Sequence, residues 1–149
     1  GDIIGHEFMG EVVETGPEVR NFKRGDRVTV VSVIACGHCE HCANQAYSIC
    51  DNGNPHAWMA EKAYGYAGAG IFGYSHTAGG YDGGQAEYVR VPYADISPTV
   101  IPEGMHPDDA VMLTDVVPTG YQAAEMGGIQ KGDTVVVFGA GPVGIMAAR

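Results

Sequence analysis

The sequence predicts a mainly β domain carrying a cysteine-rich metal lobe, followed by the opening of an α/β unit. Three observations carry this reading. Short β-branched runs separated by Gly and Pro turns fill the first quarter of the chain. All four cysteines fall within "ACGHCEHCANQAYSIC", residues 35–50, at a spacing of C-x2-C-x2-C-x7-C. Near the end, "TVVVF" is a continuous apolar run that leads directly into "GAGPVG", the order expected of a buried parallel strand feeding a helix.

Taken in order, the opening "GDIIGHEF" is already strand-like, and residues 11–16 ("EVVETG") and 26–35 ("DRVTVVSVIA") are further strand candidates. Four of the eight basic residues, Arg20, Lys23, Arg24 and Arg27, cluster in "RNFKRGDR", which reads as a solvated turn rather than a binding patch. Residues 65–84 hold eight glycines, too many for a helix interior or a regular strand. This long loop carries Tyr66, Phe72, Tyr74 and Tyr81, and is either a flexible connector or a pocket-lining or lid loop. Strand character returns at 86–91 ("AEYVRV") and is stopped by Pro92. "HPDDAVMLTD" and "TGYQAAEMGG" read as short helices, the second ending at Gly127 and Gly128.

With 149 residues the chain suffices for one domain or for pieces of two. A hydrophobic fraction of 45% and a charged fraction of 17% describe a globular protein rather than a disordered one. The net charge of -10 argues against a nucleic-acid groove or an anionic membrane surface, which need clustered Lys and Arg. No apolar run approaches the length of a membrane span, and nothing at the start resembles a secretory signal. A cytoplasmic location is expected.

The cysteine spacing has three readings. A disulfide framework needs an oxidising compartment and makes an odd scaffold at C-x2-C intervals. A four-iron cluster also opens with C-x2-C-x2-C, but continues with three residues and Cys-Pro, whereas seven separate Cys42 from Cys50 here and no Pro follows. Tetrahedral zinc on Cys36, Cys39, Cys42 and Cys50 fits best, and four sulfur ligands leave no open position, so the site is structural. His38 and His41 then face solvent or support the thiolates from outside the ligand set.

Chemistry must come from elsewhere. In "GHEFMGEVVETGPEV", residues 5–19, His6 beside Glu7 is weak evidence alone, but Gly5, Gly10 and Gly16 point to a backbone folded tightly around something. At the other end Gly139, Gly141 and Gly144 form G-x-G-x-x-G directly after a strand candidate, the context that makes it a dinucleotide fingerprint. The first two glycines let the backbone turn and approach a pyrophosphate, and Pro142, followed by Val143, suits a first helical turn.

Gly5, His6, Glu7, Gly10, Gly16 and Val19 match every defined position of G-H-E-x2-G-x5-G-x2-V, the zinc signature of the medium-chain alcohol dehydrogenases, and the chain resembles that family. The cysteine run resembles the family's structural zinc loop at all four ligands, and "GGQAEYVRVP" and "PTGYQAAEMGGIQKGDTVVVFGAGPVG" resemble its later segments. The resemblance implies that His6 is a catalytic zinc ligand and that Glu7 tunes or transiently contacts the metal. It implies that Asp115, in the place often held by a cysteine, is another ligand, as in the formaldehyde dehydrogenase branch. Thr119 would approach the nicotinamide.

The implied fold is a mainly β, GroES-like catalytic domain over 1–116 with a structural zinc lobe at about 36–50. Residues 117–149 would supply the first strand and start of helix of an α/β Rossmann domain. The implied activity is hydride transfer between an alcohol or aldehyde and NAD(P), NAD being favoured, at a zinc with an open position. Within the class, threonine, polyol and aryl-alcohol dehydrogenases are alternatives; outside it stands a non-catalytic, zinc-stabilised interaction module. A homo-oligomer is expected. Both ends read as truncated: a first zinc ligand is expected upstream of Gly1, and the residue choosing NAD or NADP beyond Arg149. The piece is therefore expected to be inactive, to keep its lobe zinc, to hold the catalytic zinc partially or not at all, and to self-associate through 134–138 or leave that segment poorly ordered.

Overall fold

A β-branched run becomes a strand only when a neighbour accepts its backbone hydrogen bonds, and the structure shows which runs find one. The computed structural model describes all 149 residues. Strands β1 (Phe8–Glu11) and β2 (Arg27–Val30) pair antiparallel, Phe8 opposite Val30 and Glu11 opposite Arg27. The pairing runs one residue further, since the Val12 N–H donates to the Asp26 carbonyl at 2.9 Å and the Gly25 N–H to Val12 at 2.8 Å. The remainder of the 11–16 run is not strand. Arg20, Lys23, Arg24 and Arg27 are all exposed around this turn, as expected of a solvated one.

Three further elements complete the β-rich part. β3 (Val33–Ile34) pairs antiparallel with β4 (Gly70–Ile71), which lies inside the glycine-rich loop. β5 (Pro98–Val100) joins the other edge of β2, giving the order β1-β2-β5. Val28, Val30, Ile34 and Phe72 form the main core, with Phe8 edge-on to Phe72 at 5.3 Å.

A second core consists of Ala35, Cys36, Cys42, Cys50 and Ala69, around helix α1 (Glu40–Ala43). Three of its five members are cysteines, so this lobe owns little hydrocarbon with which to offset chain entropy and needs a cross-link. Helix α2 (Ala57–Tyr64) follows and is stopped by Gly65, whose φ of 82° suits glycine and whose N–H caps the Glu61 carbonyl.

Both expected C-terminal helices form. α3 (Pro107–Met112) starts at Pro107 with His106 as its cap, and Asp108 and Asp109 lie in its first turn, where carboxylates suit the helix dipole. α4 (Val116–Met126) begins three residues earlier than the sequence pattern indicates and stops at Gly127. Helix α5 (Pro142–Ala148) starts at Pro142 and packs on α4 at Gly120, where an added Cβ would stand 2.7 Å from the Ala147 nitrogen.

Three strand expectations fail for one physical reason. Residues 1–7, 86–91 and 134–138 are not in strands. Around 86–91 the alternation still turns Val89 and Val91 toward the core, so the pattern selects a face without supplying a partner. At 134–138 no neighbour pairs at all, and Val136 and Phe138 are 70% and 95% exposed. A continuous apolar run of this kind carries the composition of a central strand, but its ladder partners are not among these residues.

Candidate metal centres

The lobe sulfurs converge. Cys36 and Cys42 Sγ atoms are 4.0 Å apart, those of Cys39 and Cys50 3.9 Å, and all four lie within 4.8 Å of one another. Zinc–sulfur bonds of about 2.3 Å in a tetrahedron put sulfurs about 3.8 Å apart, so the donor set fits one zinc. No pair is at disulfide distance, and all four thiols are free. Each cysteine of a four-iron cluster binds a different iron, and sulfurs this close leave no room for its core.

Local structure aims these thiols. Cys39 caps α1, its sulfur accepting from the Cys42 N–H, while the Cys36 N–H donates to Cys50 Sγ at 3.2 Å. Burial pushes the Cys36 thiol up, yet hydrogen bonds from Asn52 Nδ2 (3.3 Å) and from the backbone outweigh it and bring it down to about 6. Burial pushes Cys42 well up, and its sulfur neighbours add to this. Because the folded lobe holds Cys36 below the usual 9.0, its thiolate favours folding above that value, and the contribution is lost as pH falls toward about 6. Zinc binds thiolates and competes with protons for them, so the lobe is expected to hold zinc less tightly as pH falls; a chromogenic chelator followed across pH checks this, and a zinc affinity independent of pH would refute it. His38 is exposed with Nδ1 3.0 Å from the Cys36 carbonyl, and His41 lies 3.5 Å from Asp51, so neither histidine competes as a ligand.

The second group is His6, Glu7 and Asp115, whose ligand atoms also lie within 4.8 Å of one another. His6 Nε2 is 3.7 Å from Asp115 Oδ2 and 3.9 Å from Glu7 Oε1. Nitrogen and oxygen ligands on one tetrahedral zinc stand about 3.4 Å apart, so the imidazole and the Asp115 carboxylate fit a shared cation.

His6 is placed by the glycine-rich loop, which is tied to its neighbours rather than a free connector. Carbonyls of Ile3, Ile4 and Gly5 accept from the N–H groups of Gly83, Gln85 and Gly84 at 2.8, 3.0 and 2.8 Å. An added Cβ on Gly73 would stand 2.5 Å from the Gly5 nitrogen, and one on Gly83 would overlap the Gly5 carbonyl. The backbone on both sides of Gly5 therefore touches bare backbone, and His6 emerges from this seam just before β1. Tyr74 lies edge-on to the His6 ring at 6.4 Å.

Asp115 occupies the N-cap of α4 but makes no capping hydrogen bond. Its carboxylate turns outward instead, Oδ2 toward His6 and Oδ1 accepting from the Thr119 hydroxyl at 3.0 Å. At the nucleotide end Gly139 has a φ of 98°, a Cβ on Gly144 would overlap the Gly139 carbonyl, and Gly141 faces open space before Pro142 and Val143. The turn exists without the paired strand that should precede it.

Sequence reasoning missed three residues and one bond. Asn52 bonds to Cys36 and is signalled only by lying two residues past the last cysteine. Gly73 and Gly83 show in the glycine density but not in what they touch. The Thr119–Asp115 bond is hinted at by i, i+4 spacing.

Comparisons with known proteins agree with this geometry. The profile of the "Alcohol dehydrogenase GroES-like domain" matches residues 2–103. The chain is 46% identical to the zinc-type alcohol dehydrogenase-like protein AdhB of Bacillus subtilis, covering 99% of this chain and 37% of that protein. It is 44% identical to the glutathione-independent formaldehyde dehydrogenase of the same organism, over 100% of this chain and 35% of that protein. Among solved structures it resembles the alcohol dehydrogenase TADH from Thermus sp. ATN1 with a TM-score of 0.83 at 33% identity, covering 99% of this chain and 38% of that one. The chain thus spans little more than a third of the length of the relatives it matches. With a sulfur tetrahedron, a converging G-H-E histidine and a profile match over most of its length, the chain belongs to the alcohol dehydrogenase GroES-like domain family.

Proposed function

We propose that this chain supplies the metal-binding part of a zinc-dependent oxidoreductase that moves hydride between an alcohol or aldehyde and a nicotinamide cofactor. The observation that carries the reading is the approach of His6 Nε2 to Asp115 Oδ2 at 3.7 Å, two donors brought together from distant parts of the chain. His6 and Asp115 would hold the catalytic zinc, with Glu7 beside them, and Cys36, Cys39, Cys42 and Cys50 the structural one. Zinc bound at the first site would supply Lewis-acid polarisation of a substrate hydroxyl.

The remaining work falls to the protein. His6 and Asp115 sit in half-buried surroundings, 35% and 24% exposed at their side chains, and so face a reactant while staying fixed in place. Hydride from the substrate carbon would pass to the nicotinamide, and a proton from the hydroxyl of the alcohol, or of the aldehyde's hydrate, would pass to solvent, which closes the two-electron balance. Residues 1–116 form the catalytic domain in this reading. Residues 117–149 begin a Rossmann domain, in which Gly139, Gly141, Pro142, Val143 and Gly144 receive the pyrophosphate, Thr119 approaches the nicotinamide, and NAD is preferred to NADP.

Asp115 and the 44% identity to a formaldehyde dehydrogenase favour formaldehyde-type substrates over threonine, polyols or aryl alcohols. No helix is long and apolar enough to cross a membrane, and free thiols suit the cytoplasm. The exposed apolar residues at 135–138 favour a homo-oligomer.

The test is appearance of reduced nicotinamide when a zinc-loaded protein carrying this segment within a chain of its relatives' length meets formaldehyde or short alcohols with NAD. His6→Ala and Asp115→Ala are each expected to lower turnover by about a hundredfold to a thousandfold, the scale of losing an electrostatic group at the reacting centre. Unchanged turnover in both variants would overturn the proposal.

A further inference from the structure

We infer that Thr119 is a positioning residue for Asp115, setting which carboxylate oxygen faces the His6 metal position; this rests on the reading of that position as a metal site. Asp115 would ordinarily cap α4, because an Asp at an N-cap accepts the N–H of the second or third helical residue. Here it accepts neither. The Thr119 hydroxyl, one turn along the same helix, donates to Oδ1 at 3.0 Å and holds the carboxylate away from the helix end. The free oxygen, Oδ2, then points at His6 Nε2, 3.7 Å away.

Two bonds tie the residues together, for the Thr119 N–H also donates to the Asp115 backbone carbonyl at 2.9 Å. A threonine in a helix has few χ1 rotamers, so its hydroxyl is a stiff support. Without it the carboxylate could rotate or fall back to cap the helix, withdrawing a ligand oxygen from the metal. Hydrogen bonds of this kind to a metal-bound group are worth about tenfold to a hundredfold in metal affinity.

The experiment uses this segment within a chain of its relatives' length, loads the cysteine lobe with zinc and then titrates cobalt(II) into the second position, reading the visible ligand-field band. Thr119→Val, which keeps the branched shape without the hydroxyl, is expected to weaken cobalt binding by about tenfold to a hundredfold. Thr119→Ser is expected to restore it, with lobe zinc content and circular dichroism unchanged in both. If T119V binds cobalt as the parent does while Asp115→Ala loses it, the inference is overturned and the metal site stands. If D115A also binds as the parent does, or the parent takes no cobalt at all, the metal site itself falls and the inference with it.

Discussion

Replacing Cys42 with alanine is expected to strip the lobe of its zinc and unfold the segment from about residue 36 to residue 50. The lobe core consists mainly of the ligands themselves, so no hydrocarbon cluster remains when the metal leaves. Structural zinc in comparable small sites contributes about 10–16 kcal/mol that is inseparable from folding, against a whole-domain stability of about 5–15 kcal/mol. Elemental analysis should show the lobe metal lost, and limited proteolysis should cut within the released segment. His38→Ala is the matched control and should keep the metal, since that ring contacts only the Cys36 carbonyl. A C42A chain that retains lobe zinc at parental affinity would disprove the ligand assignment.

The second large effect is expected at glycines that touch no ligand. Gly83→Ala and Gly73→Ala each place a methyl group against the backbone of Gly5, where neither partner is a side chain that can rotate away. Overpacking of this kind costs about 1–3 kcal/mol, occasionally more. Gly73 also has a φ of 53°, which an alanine adopts reluctantly. The segment that must yield carries His6, so both variants should lose cobalt binding at the His6 position while the lobe keeps its zinc. Thermal unfolding combined with metal counting separates the two effects. A G83A protein with parental stability and two parental metal affinities would show that the seam is not needed.

The sequence is most legible where chemistry constrains spacing. Four cysteines at short intervals have few geometries that can satisfy them, and Cys36, Cys39, Cys42 and Cys50 meet as the spacing requires. His6 and Glu7 are visible through a fixed motif, and Asp115 only through resemblance, because nothing local distinguishes a ligand from a helix cap. Both helices near the C-terminus follow from caps and stops that act within a few residues. Strands are less legible. Val89 and Val91 lie on the inward face that their alternation indicates, and residues 134–138 are apolar, but strand formation depends on a partner that a local pattern does not name. The glycine loop is the least legible part, since absent side chains announce close contact without saying with what.

That seam separates two properties that most binding loops join. The loop holds the backbone before the histidine through main-chain atoms, by hydrogen bonds from Gly83, Gly84 and Gln85 and by bare glycine surfaces. Apart from Tyr74, which stands edge-on to the His6 ring, its aromatic side chains are thereby released from holding His6. Phe72 is buried in the core, while Tyr66 and Tyr74 are 71% and 62% exposed. Substitutions at Tyr66 can alter what the loop displays to its surroundings without moving His6. Diversity is open at Tyr66 and closed at Gly73 and Gly83, so a change in what such a scaffold displays has a route that leaves the metal geometry intact.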